Sequence, residues 1–242
     1  MTRDEDNRMK RMLACLIASV AIAGTAYATE EDDARAAATK FWNALGDQDV
    51  AALKESTHVQ DEKLKRGFEL YLRRIAAEKS LREEGKKRFA AEGERLGFSD
   101  NGNLKRLAEA GIQLLKQTPL TVEGEKRRLV IKSPETKPGQ PAQGLWLDLS
   151  TSLVKKDDTW RVLLDDLTPP LLFGIKTMAT RPDAERVMIE AREQTLADLK
   201  AGKFASATEA AQAQAQREKA GLEALRAART QPATAPATRP QK

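Results

Sequence analysis

The chain has 242 residues, of which 40% are aliphatic or aromatic and 32% charged, with 41 basic against 36 acidic side chains and a formal charge of +5. A single cysteine and a single histidine exclude a disulfide framework, a Cys/His zinc site and any histidine-pair metal centre within one chain. The apolar fraction is enough for the core of one large domain, or of one medium domain with appendages.

Residues 1–28 have the order of a secretory signal peptide. Lys10 and Arg11 precede the apolar run Met12 to Ala23, and Ala26-Tyr27-Ala28 places small residues where a signal peptidase needs them, so cleavage is expected between Ala28 and Thr29. Asp4-Glu5-Asp6 is foreign to such an n-region, whereas Met9 opens a cleaner one, and translation from Met1 or from Met9 stays open. An uncleaved anchor is the competing reading, but a membrane span needs ~20 apolar residues and this run ends before Gly24. Cys15 has too short an apolar stretch before it for a lipoprotein signal. Cleavage removes four cations, three anions and the one cysteine, and leaves 214 residues of charge +4. The expected product is periplasmic or secreted, without a stable membrane span. A cysteine-free domain forms no wrong disulfides in an oxidising compartment and relies on its core.

The spacing predicts a helix from Glu30 to Gly46, with Ala34, Ala37, Ala38, Phe41, Trp42 and Leu45 on one face and acids in the first turn, where the helix dipole favours them. Asp49 caps a short helix from Val50 to Glu55. Asp61 to about Leu96 is densely charged and helical, with an apolar stripe of Leu64, Phe68, Tyr71, Leu72 and Ile75. A further helix, capped by Asn103, carries Leu104, Leu107, Ala108, Gly111, Leu114 and Leu115 and ends before Pro119. These two segments read as an antiparallel helical hairpin, inserted over about residues 61–117. After Pro119 the period becomes two. Leu120–Glu123 and Arg128–Lys132 flank a turn at Gly124-Glu125-Lys126, and Leu145–Val154 and Trp160–Leu164 flank Lys156-Asp157-Asp158-Thr159. Ser133 to Gly144, rich in Pro and Gly, is a loop. The expected class is α+β: a four-stranded or larger antiparallel sheet packed by N-terminal helices. Residues 168–229 form a helical extension, and 230–242, with Pro232, Pro236 and Pro240, a disordered tail.

Two stretches carry a family resemblance: Ala36-Ala37-Ala38-Thr39-Lys40-Phe41-Trp42-Asn43-Ala44-Leu45-Gly46-Asp47-Gln48-Asp49-Val50-Ala51-Ala52-Leu53, and Leu153-Val154-Lys155-Lys156-Asp157-Asp158-Thr159-Trp160-Arg161-Val162. The first resembles the F-x-x-A-L-x-x-G-D opening, and the second the L-V-K-x-D-G-x-W-R-V final hairpin, of exported members of the nuclear transport factor two-like (SnoaL-like) superfamily. The resemblance covers about residues 34–165 and implies a cystatin-like cone, formed here by residues 29–167. Enzymes of that family use a Tyr, Asp or His in the cone, whereas this helix offers Trp42, and Tyr71 lies in the inserted region. No catalytic role carries over.

Ligand-binding candidates are Trp42, His58, Trp146 and Asp148. His58 follows the short helix and also reads as a capping or exposed residue. Trp146 and Asp148 share the strand face opposite Leu145, Leu147, Leu149 and Leu153, as a stacking platform with an acceptor or as a solvent-facing edge. Trp42 and Trp160 also read as core anchors. Asp165 and Asp166 are adjacent, so on a strand they point to opposite faces and do not act as an acid/base pair. Lys126-Arg127-Arg128 and Lys86-Lys87-Arg88 lie beside acids and read as solvated faces rather than nucleic-acid sites. No phosphate loop, nucleophile elbow, zinc motif or calcium loop is found. No catalytic residue, metal or cofactor is assigned. The expectation is an exported, non-catalytic binding or accessory protein, its partner a small ligand or an envelope protein of unknown identity. Alternatives are a helical adaptor contacting an envelope component, and a small-molecule isomerase or hydrolase acting in the cone.

Overall fold

The computed structural model describes residues 30–96, 101–116, 118–131, 149–167 and 169–230. The expectations for the signal segment, for Trp146 and Asp148, and for the tail beyond 230 fall outside these residues. The protein is α+β and mostly helical, 74% of the described residues, with a five-stranded mixed sheet. It divides into two compact units, one of Met1–Val59 and Gly102–Thr168, the other of Gln60–Asn101 and Pro169–Lys242.

The first unit begins with α1 (30–46), whose alanine-rich register is held by the i,i+4 pair Glu31–Arg35 at 2.6 Å. Helix α2 (Val50–Ser56) starts where the Asp49 carboxylate accepts from the Ala52 amide at 3.0 Å. Strand β1 (Thr57–His58) follows at once. Helix α4 (Asn101–Leu115) runs antiparallel on α1. Ala108 meets Gly46, Gly111 lies under the Trp42 ring, and Arg35 Nη1 donates to the Leu115 carbonyl at 2.6 Å. The sheet is completed by β2 (Leu120–Glu123), β3 (Lys126–Ile131), β4 (Leu149–Lys156) and β5 (Thr159–Leu163) in the order β1-β5-β4-β3-β2. Gly124, at φ +62°, opens the β2–β3 turn; Asp157 and Asp158, at +50° and +57°, make a primed turn between β4 and β5.

Two expectations are corrected in this unit. The sheet is mixed, because β1 pairs in parallel with β5, Thr57 opposite Val162 and His58 opposite Leu163. His58 is therefore a strand residue and not a helix cap. Two residues carry no alternation of their own, so only the tertiary pairing defines this strand. The segment after β5, Leu164–Asp166, is a 3-10 turn, and Asp166 accepts from Lys126 Nζ at 3.0 Å.

The second unit is helical. The 28-residue α3 (Glu62–Phe89) is capped by Asp61, which accepts from the Leu64 amide at 2.7 Å. It ends at Ala90, φ +50°, where a 3-10 turn (Ala90–Arg95) folds back so closely that Gly93 lies against the Gly85 carbonyl. Helices α5 (Pro169–Thr180) and α6 (Pro182–Lys200) are separated by Arg181, with Pro182 opening the second. They lie parallel to α3: Gly67 admits Ile175 and Ala179, Arg73 pairs with Glu193, and Arg88 Nη2 donates to the Lys200 carbonyl. Helix α7 (Ala207–Thr230) returns antiparallel on α6, with Gly221 against Val187. Leu81, Leu96, Leu199, Ala207 and Ala210 close one end of the core.

The antiparallel hairpin expected over 61–117 is thus replaced by another partition, in which α4 packs with α1 and α3 with α5, α6 and α7. Length explains it. Helix α3 spans about 42 Å at 1.5 Å per residue, α4 only about 22 Å, whereas α5 and α6 taken together are long enough to match α3.

Candidate functional site

In a sheet, residues opposite one another in register share a face and successive residues alternate. One face carries Arg127, Leu129, Thr151, Leu153, Trp160, Val162 and Thr57. Helix α1 lies on this side, since Arg127 Nη2 donates to Glu30 Oε2 at 3.2 Å. Leu129, Leu153 and Val162 are fully buried there. The Arg127 guanidinium stacks on Trp160, 5.4 Å from the ring centroid, so this residue of the basic cluster is packed and not solvated. Trp42 belongs to the same interior. It is 1% exposed, meets Phe41 edge-on at 5.6 Å, and its Nε1 has no hydrogen-bond partner. Trp42 is a core side chain, and neither of its faces is open to a ligand.

The opposite face carries Lys126, Arg128, Ser152, Val154, Arg161, Leu163 and His58. Here the register makes rows: Arg128 is opposite Ser152, and Val154 lies between Lys126 and Arg161. Ser152 is 1% exposed, and its Oγ, the Arg128 Nε and the Arg161 Nε are all buried without a hydrogen-bond partner. A buried donor left unpaired costs about 1–3 kcal/mol, so three on one face form a conspicuous concentration. The acids near this face are engaged: Asp166 with Lys126, and Glu123 with Arg128 Nη1 at 3.5 Å. His58 sits half-buried beside Leu163, on the far side of the sheet from Trp42. The structure does not bring these two candidates together; Trp146 and Asp148 lie outside the described residues.

Arg128, Ser152 and Arg161 were not legible as site residues. Arg128 stands in a basic run beside acids, and Arg161 and Ser152 simply obey the alternation of their strands. Only the register sets them side by side.

The helical unit holds a second polar cluster, equally hidden in a charged run. Glu78, 2% exposed, accepts from Arg74 Nε at 3.0 Å and lies 3.7 Å from Arg192 Nε. Arg192 reaches Glu218 of α7 at 3.4 Å, and Arg74 approaches Glu185 at 4.0 Å. Burial pushes the Glu78 carboxyl up, against the lowering fields of Arg74 and Arg192. Burial likewise pushes the Tyr71 hydroxyl up to about 12. This network ties α3 to α6 and α7, and its carboxyl is clamped between two guanidinium groups instead of facing a substrate. At the surface of the same unit, a groove of about 650 Å³ is lined by Lys63, Arg66, Leu70, Arg73, Ala179 and Arg186, among others.

Among the described residues no group of three or more His, Cys, Asp or Glu side chains is placed to hold a metal ion, and no helix is long and apolar enough to cross a membrane. No family model, curated protein or solved structure matches the chain.

Proposed function

We propose that this is an exported, non-catalytic binding protein of nuclear transport factor two-like type, which engages a small ligand through its α+β unit. The observation that carries the reading is the group of unpaired buried donors on the sheet face bearing Ser152. Acid/base catalysis needs a carboxylate, imidazole or comparable group aimed at a reacting atom with a suitable proton affinity. The donors here are guanidinium and hydroxyl groups, and the neighbouring acids Glu123 and Asp166 are already engaged. Such a set is suited to holding a ligand. The helical unit supports a second reading, that of an adaptor contacting an envelope component, because its α3 groove exposes Lys63 and Arg66 along a surface of ligand-sized volume.

Native mass spectrometry of the chain recovered from an exported fraction tests the first reading. A small molecule of defined mass, retained in the gas phase and released on denaturation, is the expected result. A ligand-free chain that turns over a small-molecule substrate would overturn it in favour of the isomerase or hydrolase alternative.

A further inference from the structure

Resting on that reading, we infer that the sheet face around Ser152 is a binding site for a small oxyanion, a phosphate- or carboxylate-bearing molecule, held by Arg128, Ser152 and Arg161. The register supplies the geometry. Arg128 stands directly opposite Ser152 on the neighbouring strand, and Arg161 lies diagonally from it across β4 and β5. Directly opposed Cβ atoms are ~5 Å apart and diagonal ones ~7 Å, so both arginines stand within side-chain reach of Ser152. Val154, half-buried and directly opposite Arg161, adds an apolar neighbour on the same face.

The chemistry selects an oxyanion. Arginine stays charged in proteins and has donors only, and its planar fork matches a carboxylate or phosphate in two parallel hydrogen bonds. The serine hydroxyl adds a third donor, itself almost wholly buried and unpartnered. Arg161 makes no ion pair with any described residue, and Arg128 meets only Glu123, at 3.5 Å through Nη1, which leaves its Nε uncommitted. Both arginines are half-buried: their inner nitrogens are sheltered from water while the side chains remain reachable from outside. Shelter strengthens a charge-assisted hydrogen bond relative to one in open solvent. A cation would be repelled, and a purely apolar ligand would leave the three donors unpaired. His58, on the same face beside Leu163, flanks the site and can contact the remainder of the bound molecule.

Titration calorimetry of the full chain with inorganic phosphate, and separately with succinate, tests this inference. At least one of the two should bind saturably. Arg161→Met should weaken that binding about tenfold or more, and Arg128→Met similarly, because each removes a charged donor. Ser152→Ala, which removes only the hydroxyl, should weaken it severalfold. Lys40→Met, on α1 and paired with Glu55, should leave it unchanged. The bound anion should also raise the unfolding temperature of wild type and of Lys40→Met more than that of Arg161→Met. Phosphate binding alone identifies a phosphate-type ligand, and succinate binding alone a carboxylate. Absence of saturable binding by both, or binding that Arg161→Met and Ser152→Ala leave intact, overturns the site. A co-purifying ligand found by native mass spectrometry alongside such a negative result would leave the binding reading standing and remove only this location.

Discussion

At the scale of single residues, burial changes what a side chain contributes more than its chemical type does. Trp42 and Trp160 are both buried in the first unit, but Trp160 shares its ring with the Arg127 guanidinium, whereas Trp42 sits among apolar neighbours with its Nε1 unpaired. Trp42→Ala removes the largest side chain of that interior and should cost about 3–5 kcal/mol in a denaturant melt. A loss below 1 kcal/mol would contradict its place in the core. Glu78 gives a pH-dependent prediction. Its carboxyl lies above the ordinary value of 4.5 in the folded chain because burial disfavours the charge. A group with a raised folded value binds its proton more tightly folded than unfolded. Its favourable contribution is therefore complete below the unfolded value and is lost as pH rises through the folded one. The stability of wild type relative to Glu78→Gln should accordingly decline from pH 4 towards neutrality, measured by urea unfolding at several pH values. A relative stability that rises over that range would mean that Arg74 and Arg192 outweigh the burial.

At the scale of elements, local chemistry places the ends well. Asp49 caps α2 where its position before an apolar period foretells, Asp61 caps α3, and the turns at Gly124 and Asp157-Asp158 fall between the strands they join, whereas Asn103, expected as a cap, lies inside α4. The end of α6 is equally local. Gly202 takes φ +73°, its amide donates to the Leu199 carbonyl, and the Lys203 amide donates to that of Asp198, closing the helix in a Schellman motif. Gly202→Ala should cost about 1 kcal/mol through the left-handed conformation alone, with the circular dichroism of the native state unchanged. An unaltered melting temperature would mean that the turn opens at no cost. Strand β1 shows where such reasoning stops. Thr57 and His58 are a strand only because β5 lies beside them, and nothing in the tripeptide Ser56-Thr57-His58 distinguishes this from the end of a helix.

At the scale of the whole molecule, the chain order does not follow the compact units. Each unit is assembled from two separated stretches, and α3 leaves its neighbours in sequence to pack with helices about a hundred residues further on. The proposed export makes a prediction at this scale. The mature N-terminus of protein recovered outside the cytoplasm should be Thr29, read by Edman degradation or terminal peptide mass. A soluble cytoplasmic chain beginning at Met1 or Met9 is the result that would falsify it.

The sequence by itself determined the kinds of element, most of their ends and the residues that fill the first interior. Periodicity, capping and turn chemistry act between residues a few positions apart, and Phe41, Trp42, Leu45 and Val162 announce their burial by spacing alone. The tertiary structure decided which helix each apolar stripe meets, that the sheet is mixed, and that Arg128, Ser152 and Arg161 share a face in adjacent rows. Partner choice between helices depends on length and shape matched across long stretches of chain. Strand register couples residues with no sequence relation to one another. A buried unpaired donor is a property of everything packed around it, so Ser152 reads as an ordinary strand serine until its neighbours are in place.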